Sequence, residues 1–133
     1  MPFEDALKEL EARRQQALAM GGPERLAKHK AAEKLDARAR LARFFDDGVM
    51  VETGMLARSA RPEMRGRTPA DGKVGGFGKV DGRWVAAMSN DFTVLGGSSA
   101  LINGKKMRHL KEVAAKQGMP VVWTGESTGA RMP

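Results

Sequence analysis

Cysteine is absent from this chain of 133 residues, and histidine occurs only twice. The lack of cysteine excludes a disulfide framework, a thiolate nucleophile and a cysteine-based zinc site. The two histidines, His29 and His109, lie 80 positions apart, whereas metal sites usually group several His and Cys ligands at close spacing. We therefore expect no metal site in this chain.

Aromatic side chains and long apolar runs are also scarce. The chain has five Phe, two Trp and no Tyr, and hydrophobic residues make up 41% of it. We expect a mainly aliphatic core in which the nine methionines fill gaps. No apolar run approaches the ~20 residues that span a bilayer, and the charged segment 1–10 is unlike a signal peptide. These features predict a cytoplasmic protein without a membrane partner.

Acidic residues are few in the second part of the chain. Residues 1–47 carry 10 basic and 9 acidic side chains, whereas residues 48–133 carry 13 basic and 7 acidic ones. A basic surface attracts polyanions such as nucleic acids or phosphate-bearing cofactors, although an ordinary solvated surface has the same composition. Because aromatic residues do not alternate with the basic ones, as stacking on single strands requires, we expect no nucleic-acid partner.

The first 47 residues have the periodicity of helices. Helices are predicted at 3–19, 23–33 and 35–45, and Asp36 is the expected N-cap of the third. None of these segments has a dense hydrophobic face. We therefore expect residues 1–47 to form a helical arm that packs on another part of the structure.

Residues 48–133 alternate between strand and helix signals. The predicted elements are a short strand at 49–52, a loop at 58–72, strands at 73–80 and 83–89, a loop at 90–99, a helix at 100–117 with an apolar stripe of Leu101, Met107, Leu110, Val113 and Ala114, and a short buried strand at 119–123. Asp81 and Gly82 between the first two long strands indicate a β-hairpin. The order strand, strand, helix, strand predicts an α/β domain over 48–133.

A glycine-containing loop at the end of the chain is the first candidate site. Residues 124–131, with the sequence TGESTGAR, follow a predicted strand and are mostly small. Main-chain N–H groups in such a turn can converge on a phosphate, or on the oxygen of a thioester that becomes an enolate. A tight loop at a strand end explains the same composition equally well.

The loop at 90–99 is the second candidate site. Gly96 and Gly97 allow the main chain to approach a ligand closely, and the next helix carries Lys105 and Lys106, whose ammonium groups can contact phosphates. The pattern is not a P-loop, because the order and spacing of Gly, Lys and Ser or Thr are absent. Gly75, Gly76 and Gly78 do not form a dinucleotide fingerprint, because they do not precede a helix. A hairpin exit followed by a solvated helix face is an equally good interpretation.

Four segments resemble the biotin-dependent acyl-CoA carboxyltransferases. EKLDARARL at 33–41 is similar to the family's GKLTARERL, and DFTVLGGS at 91–98 is similar to its DFTVFGGS. The lysine pair at 105–106 matches a lysine pair in the family's next helix, and the segment PVVWTGESTGAR at 120–131 resembles one that ends in DSGGAR. The motifs keep the family's order and extend over nearly the whole chain.

The resemblance implies an α/β, crotonase-like fold made of ββα units that spiral. Residues 48–133 would be the first, incomplete portion of an N-terminal carboxyltransferase domain in a longer subunit, and residues 1–47 the arm that precedes it. Members of the family move a carboxyl group from carboxybiotin to the α-carbon of an acyl-CoA. The implied partners are acyl-CoA, a biotin carboxyl carrier protein that bears the biotin cofactor, a biotin carboxylase subunit, and further chains of a homo- or hetero-oligomer.

The resemblance also assigns the site residues. The main-chain N–H groups of Thr128 and Gly129 would stabilise the thioester enolate, and Thr128 stands where the family has a glycine. The residues assigned to acyl-CoA are Gly96, Gly97, Ser98, Lys105, Lys106 and Arg131. An alternative stays open, a non-catalytic assembly or CoA-binding subunit of a larger carboxylase or decarboxylase complex. Thr128 favours it modestly, because a β-branched side chain disfavours positive φ.

Overall fold

The order of secondary-structure elements follows the sequence pattern. A computed structural model describes residues 2–132 of the chain. The helices are α1 (Pro2–Leu18), α2 (Pro23–Ala31), α3 (Ala37–Phe44) and α4 (Leu101–Gln117), and the strands are β1 (Met50–Glu52), β2 (Lys73–Val80), β3 (Arg83–Asn90) and β4 (Val121–Thr124). In this range no helix combines the length and the apolarity needed to cross a membrane.

The four strands form one mixed sheet in the order β1-β2-β3-β4. The first three strands are antiparallel, and β4 runs parallel to β3. The predicted hairpin is confirmed: Asp81 and Gly82 both have positive φ, and the carboxylate of Asp46 accepts a hydrogen bond from the N–H of each at 3.0 Å. Positive φ at both central residues matches the twist of the two strands that the turn joins.

One face of the sheet is covered by α3. Leu41 and Phe45 pack against Val74, Val85 and Ala87 of the hairpin, and all five side chains are buried. Strand residues with a period of two supply this face, as expected for a pleated sheet. The predicted cap of α3 is confirmed as well, because the carboxylate of Asp36 accepts the N–H of Ala39 at 2.8 Å.

The opposite face of the sheet is covered by α4. Leu110 and Ala114 pack against Ala86 and Met88 of β3. The helix ends at Gly118, which has a left-handed φ of 68°, the usual conformation at a helix C-terminus. The sheet therefore lies between two helical layers, and its strand ends carry the loops at 90–99 and 124–131.

Two details of the predicted packing are wrong. The sequence predicts a buried last strand, but β4 is an edge strand whose Val121 and Trp123 are 43% and 41% exposed. Leu101 was expected in the buried stripe of α4 but is 64% exposed, because it occupies the first turn of the helix on a face turned away from the sheet. The boundary between 1–47 and 48–133 stays a prediction.

Replacing Leu41 by Ala tests whether the arm and the sheet share one core. Leu41 joins α3 to the hairpin, so its loss should lower the free energy of unfolding by about 2–5 kcal/mol. Leu35→Ala, at an exposed position, is the control and should change it by less than about 0.5 kcal/mol. Urea unfolding followed by circular dichroism and tryptophan fluorescence measures both. Two separate transitions, with only one sensitive to Leu41, would contradict a shared core.

Candidate functional site

The two candidate loops lie against each other and form one structure, called here the two-loop unit (residues 95–99 and 125–131). The main-chain hydrogen bonds between them run from the N–H of Thr128 to the O of Gly96 (3.0 Å), from Ser99 to Gly129 (2.8 Å) and from Arg131 to Ser99 (2.8 Å). Ser99 and Ala130 also form a parallel bridge. The sequence places these loops about 30 residues apart, and the parallel pairing of β3 and β4 brings their ends together.

Gly96 is required by this close approach. Its φ is 63°, and a Cβ atom at this position would lie 2.5 Å from the Cγ2 atom of Thr128. A side chain here would require the side chain of Thr128 to move aside, and it would also strain a left-handed backbone. Gly97 has a φ of 62° and continues the same turn. The glycines that the sequence assigned to ligand binding thus have a role in joining the two loops.

The main-chain N–H groups of Thr128 and Gly129 both have partners in this conformation. Thr128 donates its N–H to the carbonyl of Gly96. Gly129 donates to the hydroxyl oxygen of Ser127 at 3.1 Å, a partner that a thioester oxygen can replace without breaking the pairing of the loops. Gly129 has a positive φ of 108°, whereas the φ of Thr128 is not positive. The oxyanion role of the pair stays a prediction, and the geometry favours Gly129.

Arg131 anchors the far end of the two-loop unit. Its guanidinium donates to the carboxylate of Asp71 at 2.6 Å and to the hydroxyl of Ser98 at 3.3 Å. Asp71 is fully buried and also accepts the N–H of Asn103 at 2.9 Å, while the amide of Asn103 donates to the carbonyl of Ser98. A buried carboxylate with an ion-pair partner and a main-chain donor is well stabilised. The contact predicted between Arg131 and acyl-CoA therefore competes with a pair inside the protein.

The adjacent lysines of α4 have different environments. Lys105 is exposed, whereas Lys106 is buried and donates from Nζ to the carbonyls of Ala70 (2.6 Å) and Lys73. Consecutive helical residues differ by about 100° in direction, so the two cannot share a face. Burial lowers the pKa of Lys106 to about 8. Lys105 is available to a phosphate, whereas the ammonium of Lys106 is bound by the main chain.

A second buried lysine lies under the two-loop unit. Lys73 is 0% exposed, and its Nζ donates to Oδ1 of Asn90 at 2.8 Å and to the carbonyl of Gly97 at 3.1 Å. The ring of Trp123 lies 5.3 Å from this ammonium. Burial lowers the pKa of Lys73, the charge of Arg131 lowers it further, and Asp71 opposes both. Sequence reasoning missed Lys73, because a lysine at the start of a strand gives no signal of burial.

A basic pocket lies beside the two-loop unit, between α2 and the loop at 91–94. Its volume is about 340 Å³. The described residues that line it include four basic side chains and no acidic one, and they are Arg25, Lys28, His29, Ala32, Lys34, Phe92 and Thr93. Phe92 offers a partly exposed ring, 6.3 Å from that of His29. Three basic residues of α2 share a face at helical spacing, so the sequence carries a signal for this pocket that lies outside the glycine loops.

Lys34 connects the basic pocket to the two-loop unit. Its ammonium pairs with the carboxylate of Glu126 at 2.9 Å. This hydrogen bond and the charge of Lys34 keep the pKa of Glu126 below its usual value. Both side chains are about half exposed, so the pair contributes little to stability. The pair joins the terminal loop to a residue that lines the pocket.

Residues 2–132 contain no group of three or more His, Cys, Asp or Glu side chains placed to hold a metal ion. The two-loop unit and the basic pocket present main-chain N–H groups, hydroxyls and basic side chains. Such groups bind anions and polarise carbonyl oxygens.

The stability of the fold should increase with pH because of Lys106. An unfolded lysine has a pKa of about 10.4, whereas Lys106 in the folded protein has a pKa of about 8. Below pH 8 the folded state must therefore bury a protonated ammonium, which opposes folding. The free energy of unfolding should rise by about 2–3 kcal/mol between pH 8 and pH 10. Lys106→Met should lose most of this rise and keep only the part that belongs to Lys73. Chemical denaturation across this range measures it, and an unchanged slope in Lys106→Met would show that Lys106 is not responsible.

Comparisons with known proteins agree on one family. The family model described as the carboxyl transferase domain matches residues 28–133. The carboxyltransferase subunit of propionyl-CoA carboxylase from Haloferax mediterranei is 37% identical over 99% of this chain and 26% of its own length. The alpha subunit of methylmalonyl-CoA decarboxylase from Propionigenium modestum is 36% identical over 95% of this chain and 25% of its own.

Solved structures give the same answer. A transcarboxylase 12S structure with methylmalonyl-coenzyme A and methylmalonic acid bound has a TM-score of 0.87 and 34% identity, over 96% of this chain and 26% of that one. A single-chain, multi-domain long-chain acyl-CoA carboxylase has a TM-score of 0.86 and 31% identity, over 95% of this chain and 14% of that one. The chain spans about a quarter of the length of the curated relatives it matches. It belongs to the carboxyl transferase domain family and has the α/β, crotonase-like fold of the carboxyltransferases.

Proposed function

We propose that this chain contributes the acyl-CoA-binding part of a biotin-dependent carboxyltransferase, an enzyme that moves a carboxyl group from carboxybiotin to the α-carbon of an acyl-CoA. The main support is the geometry of the two-loop unit, in which the N–H of Gly129 is held only by the hydroxyl of Ser127. The names of the relatives, which are propionyl-CoA carboxylase and methylmalonyl-CoA decarboxylase subunits, support the same chemistry.

In this proposal, Gly129 is the main-chain donor to the thioester oxygen. When the α-carbon of the acyl group loses its proton, negative charge develops on that oxygen, and a fixed N–H dipole stabilises it without reorganisation. The hydrogen bond from Gly129 to Ser127 holds the N–H in place until the thioester replaces the hydroxyl. Gly96, Gly97 and Ser98 belong to the neighbouring loop and support the loop that carries Gly129.

The basic pocket is the proposed site for the nucleotide end of CoA. The phosphates match the positive charge of Arg25 and Lys28, and the adenine base matches the ring of Phe92. Lys105, exposed on α4, remains a candidate for a further phosphate contact. These residues fit a large anion with an aromatic base, and they do not resemble a site for the uncharged ring of biotin.

Biotin, when carried to the site by a carrier protein, supplies the carboxyl group. We therefore include a biotin carboxyl carrier protein and a biotin carboxylase subunit among the proposed partners, together with further carboxyltransferase chains of an oligomer. The similarity to a transcarboxylase 12S described as a hexamer supports the oligomer. A cytoplasmic location completes the proposal.

Reversing the charge of Lys28 should weaken the binding of propionyl-CoA about tenfold, since a carboxylate would then face the phosphates. Lys116→Glu makes the same change of charge at an exposed position in the last turn of α4 and is the matched control. Isothermal titration calorimetry on the full chain measures both affinities. Equal weakening by the two variants would place the nucleotide elsewhere, and a chain that binds no acyl-CoA would end the proposal.

A second function is favoured by the outer edge of β4. In this sheet β4 is a terminal strand, with Val121 and Trp123 partly exposed. An uncovered edge strand pairs readily with another chain, as a non-catalytic assembly subunit of a carboxylase or decarboxylase complex requires. Light scattering after size exclusion should then show a stable complex with a longer carboxyltransferase subunit. Carboxybiotin-dependent turnover by that complex, lost when Gly129 is changed to Ala, would contradict a non-catalytic role.

A further inference from the structure

The buried ammonium of Lys73 lies at the start of a chain of hydrogen bonds that ends at the candidate oxyanion donor. Lys73 begins β2 and is fully buried. Its ammonium donates to the side-chain oxygen of Asn90 and to the carbonyl of Gly97, and it faces the ring of Trp123. Trp123 in turn donates from Nε1 to the same oxygen of Asn90 at 3.0 Å. The three side chains therefore fix one another's positions.

The carbonyl of Gly97 connects these side chains to the terminal loop. It accepts hydrogen bonds from Nζ of Lys73 and from the hydroxyl of Ser127, both at 3.1 Å. A hydroxyl has one proton to donate, so the proton of Ser127 points at Gly97. The lone pairs of Ser127 are then left to accept the N–H of Gly129, also at 3.1 Å. Three hydrogen bonds thus connect the ammonium of Lys73 to the N–H of Gly129.

Packing alone does not account for a lysine at this position. Removing an ammonium from water is costly, and an apolar side chain of similar volume is often as good for stability or better. Methionine has the length and flexibility to fill the same space. What methionine lacks is a donor for the side-chain oxygen of Asn90 and for the carbonyl of Gly97. The oxygen of Asn90 keeps Trp123 as a donor, so the contribution of lysine that bears on the loops is the direction that it imposes on the carbonyl of Gly97.

We propose that Lys73 is a positioning residue for the enolate-stabilising turn: its ammonium fixes the carbonyl of Gly97 and, through the hydroxyl of Ser127, the direction of the Gly129 N–H. The inference rests on the proposed function for its catalytic meaning. The hydrogen-bond chain itself exists without substrate and can be measured in the free protein. When a thioester oxygen replaces the hydroxyl at Gly129, Ser127 keeps its bond to Gly97, and the turn retains its shape.

The test compares Lys73→Met with Lys111→Met by nuclear magnetic resonance on the full chain. Lys111 lies over the same Trp123 ring, at 5.5 Å, but is exposed and has no contact with Gly97 among the hydrogen bonds of the structure. Lys73→Met should keep or raise the Tm while the exchange of the Gly129 amide with water becomes about threefold to tenfold faster, the effect of about one hydrogen bond. Lys111→Met should leave that exchange unchanged. An unchanged exchange rate of the Gly129 amide in folded Lys73→Met, or an equal change of that rate in both variants, would overturn the proposal.

A pH titration of the unaltered chain keeps the proposal testable if Lys73→Met does not fold. The charged groups that act on Lys73 are Arg131, Asp71, Lys106 and, over the shared ring, Lys111. Direct observation of the side-chain nitrogen of Lys73 separates its titration from theirs. The amide nitrogen of Gly129 should follow that titration, and Ser127→Ala should abolish the response. A Gly129 amide resonance that does not change as Lys73 titrates would refute the connection.

Ligand binding separates failure of this inference from failure of the proposed function. Lys73→Met should bind propionyl-CoA about threefold to tenfold more weakly and bind free CoA, which has no thioester oxygen, as the unaltered chain does. If the unaltered chain binds neither ligand, the proposed function fails, whereas the exchange data still decide the hydrogen-bond chain. If both ligands weaken equally, Lys73 has no specific effect on the thioester end, and the positioning role is wrong.

Discussion

The close approach of the two loops at Gly96 and Gly97 is the constraint on which the candidate site depends. A Cβ atom at Gly97 would lie 2.9 Å from the main-chain oxygen of Glu126, and one at Gly96 would lie 2.5 Å from the Cγ2 atom of Thr128, so glycine lets the loops at 95–99 and 125–131 lie close enough to exchange hydrogen bonds. That contact uses the N–H of Thr128 and leaves the N–H of Gly129 bound to a hydroxyl. The same pairing of the loops therefore uses the N–H of Thr128 and not that of Gly129.

Buried charges around the unit hold it together from the protein side. Asp71, Lys73 and Lys106 are all buried, and each finds main-chain or side-chain partners that satisfy it. Left without such partners, each would make folding unfavourable. The ammonium groups of Lys73 and Lys106 are thereby directed at oxygen atoms inside the protein, whereas α2 and Lys105 carry exposed cations. The buried and the exposed cations are separated in space.

The helical arm contributes both to the core and to the candidate site. Helix α3 completes the core on one face of the sheet, and α2 supplies one wall of the basic pocket. The salt bridge from Lys34 to Glu126 joins the arm to the terminal loop. With residues 28–133 matching the carboxyl transferase domain, the family resemblance begins inside the arm. The arm is therefore part of the site as well as part of the core.

The sequence by itself determined the elements whose signals are local. The hairpin at 81–82, the cap at Asp36 and the end of α4 at Gly118 follow from turn and capping preferences of a few neighbouring residues, and the family motifs identified the two loops. Only the tertiary structure decided which of Lys105 and Lys106 points inward, which main-chain N–H is available and why Lys73 is buried. Those properties depend on partners about 20 to 40 residues away, and no local pattern encodes the distance between them.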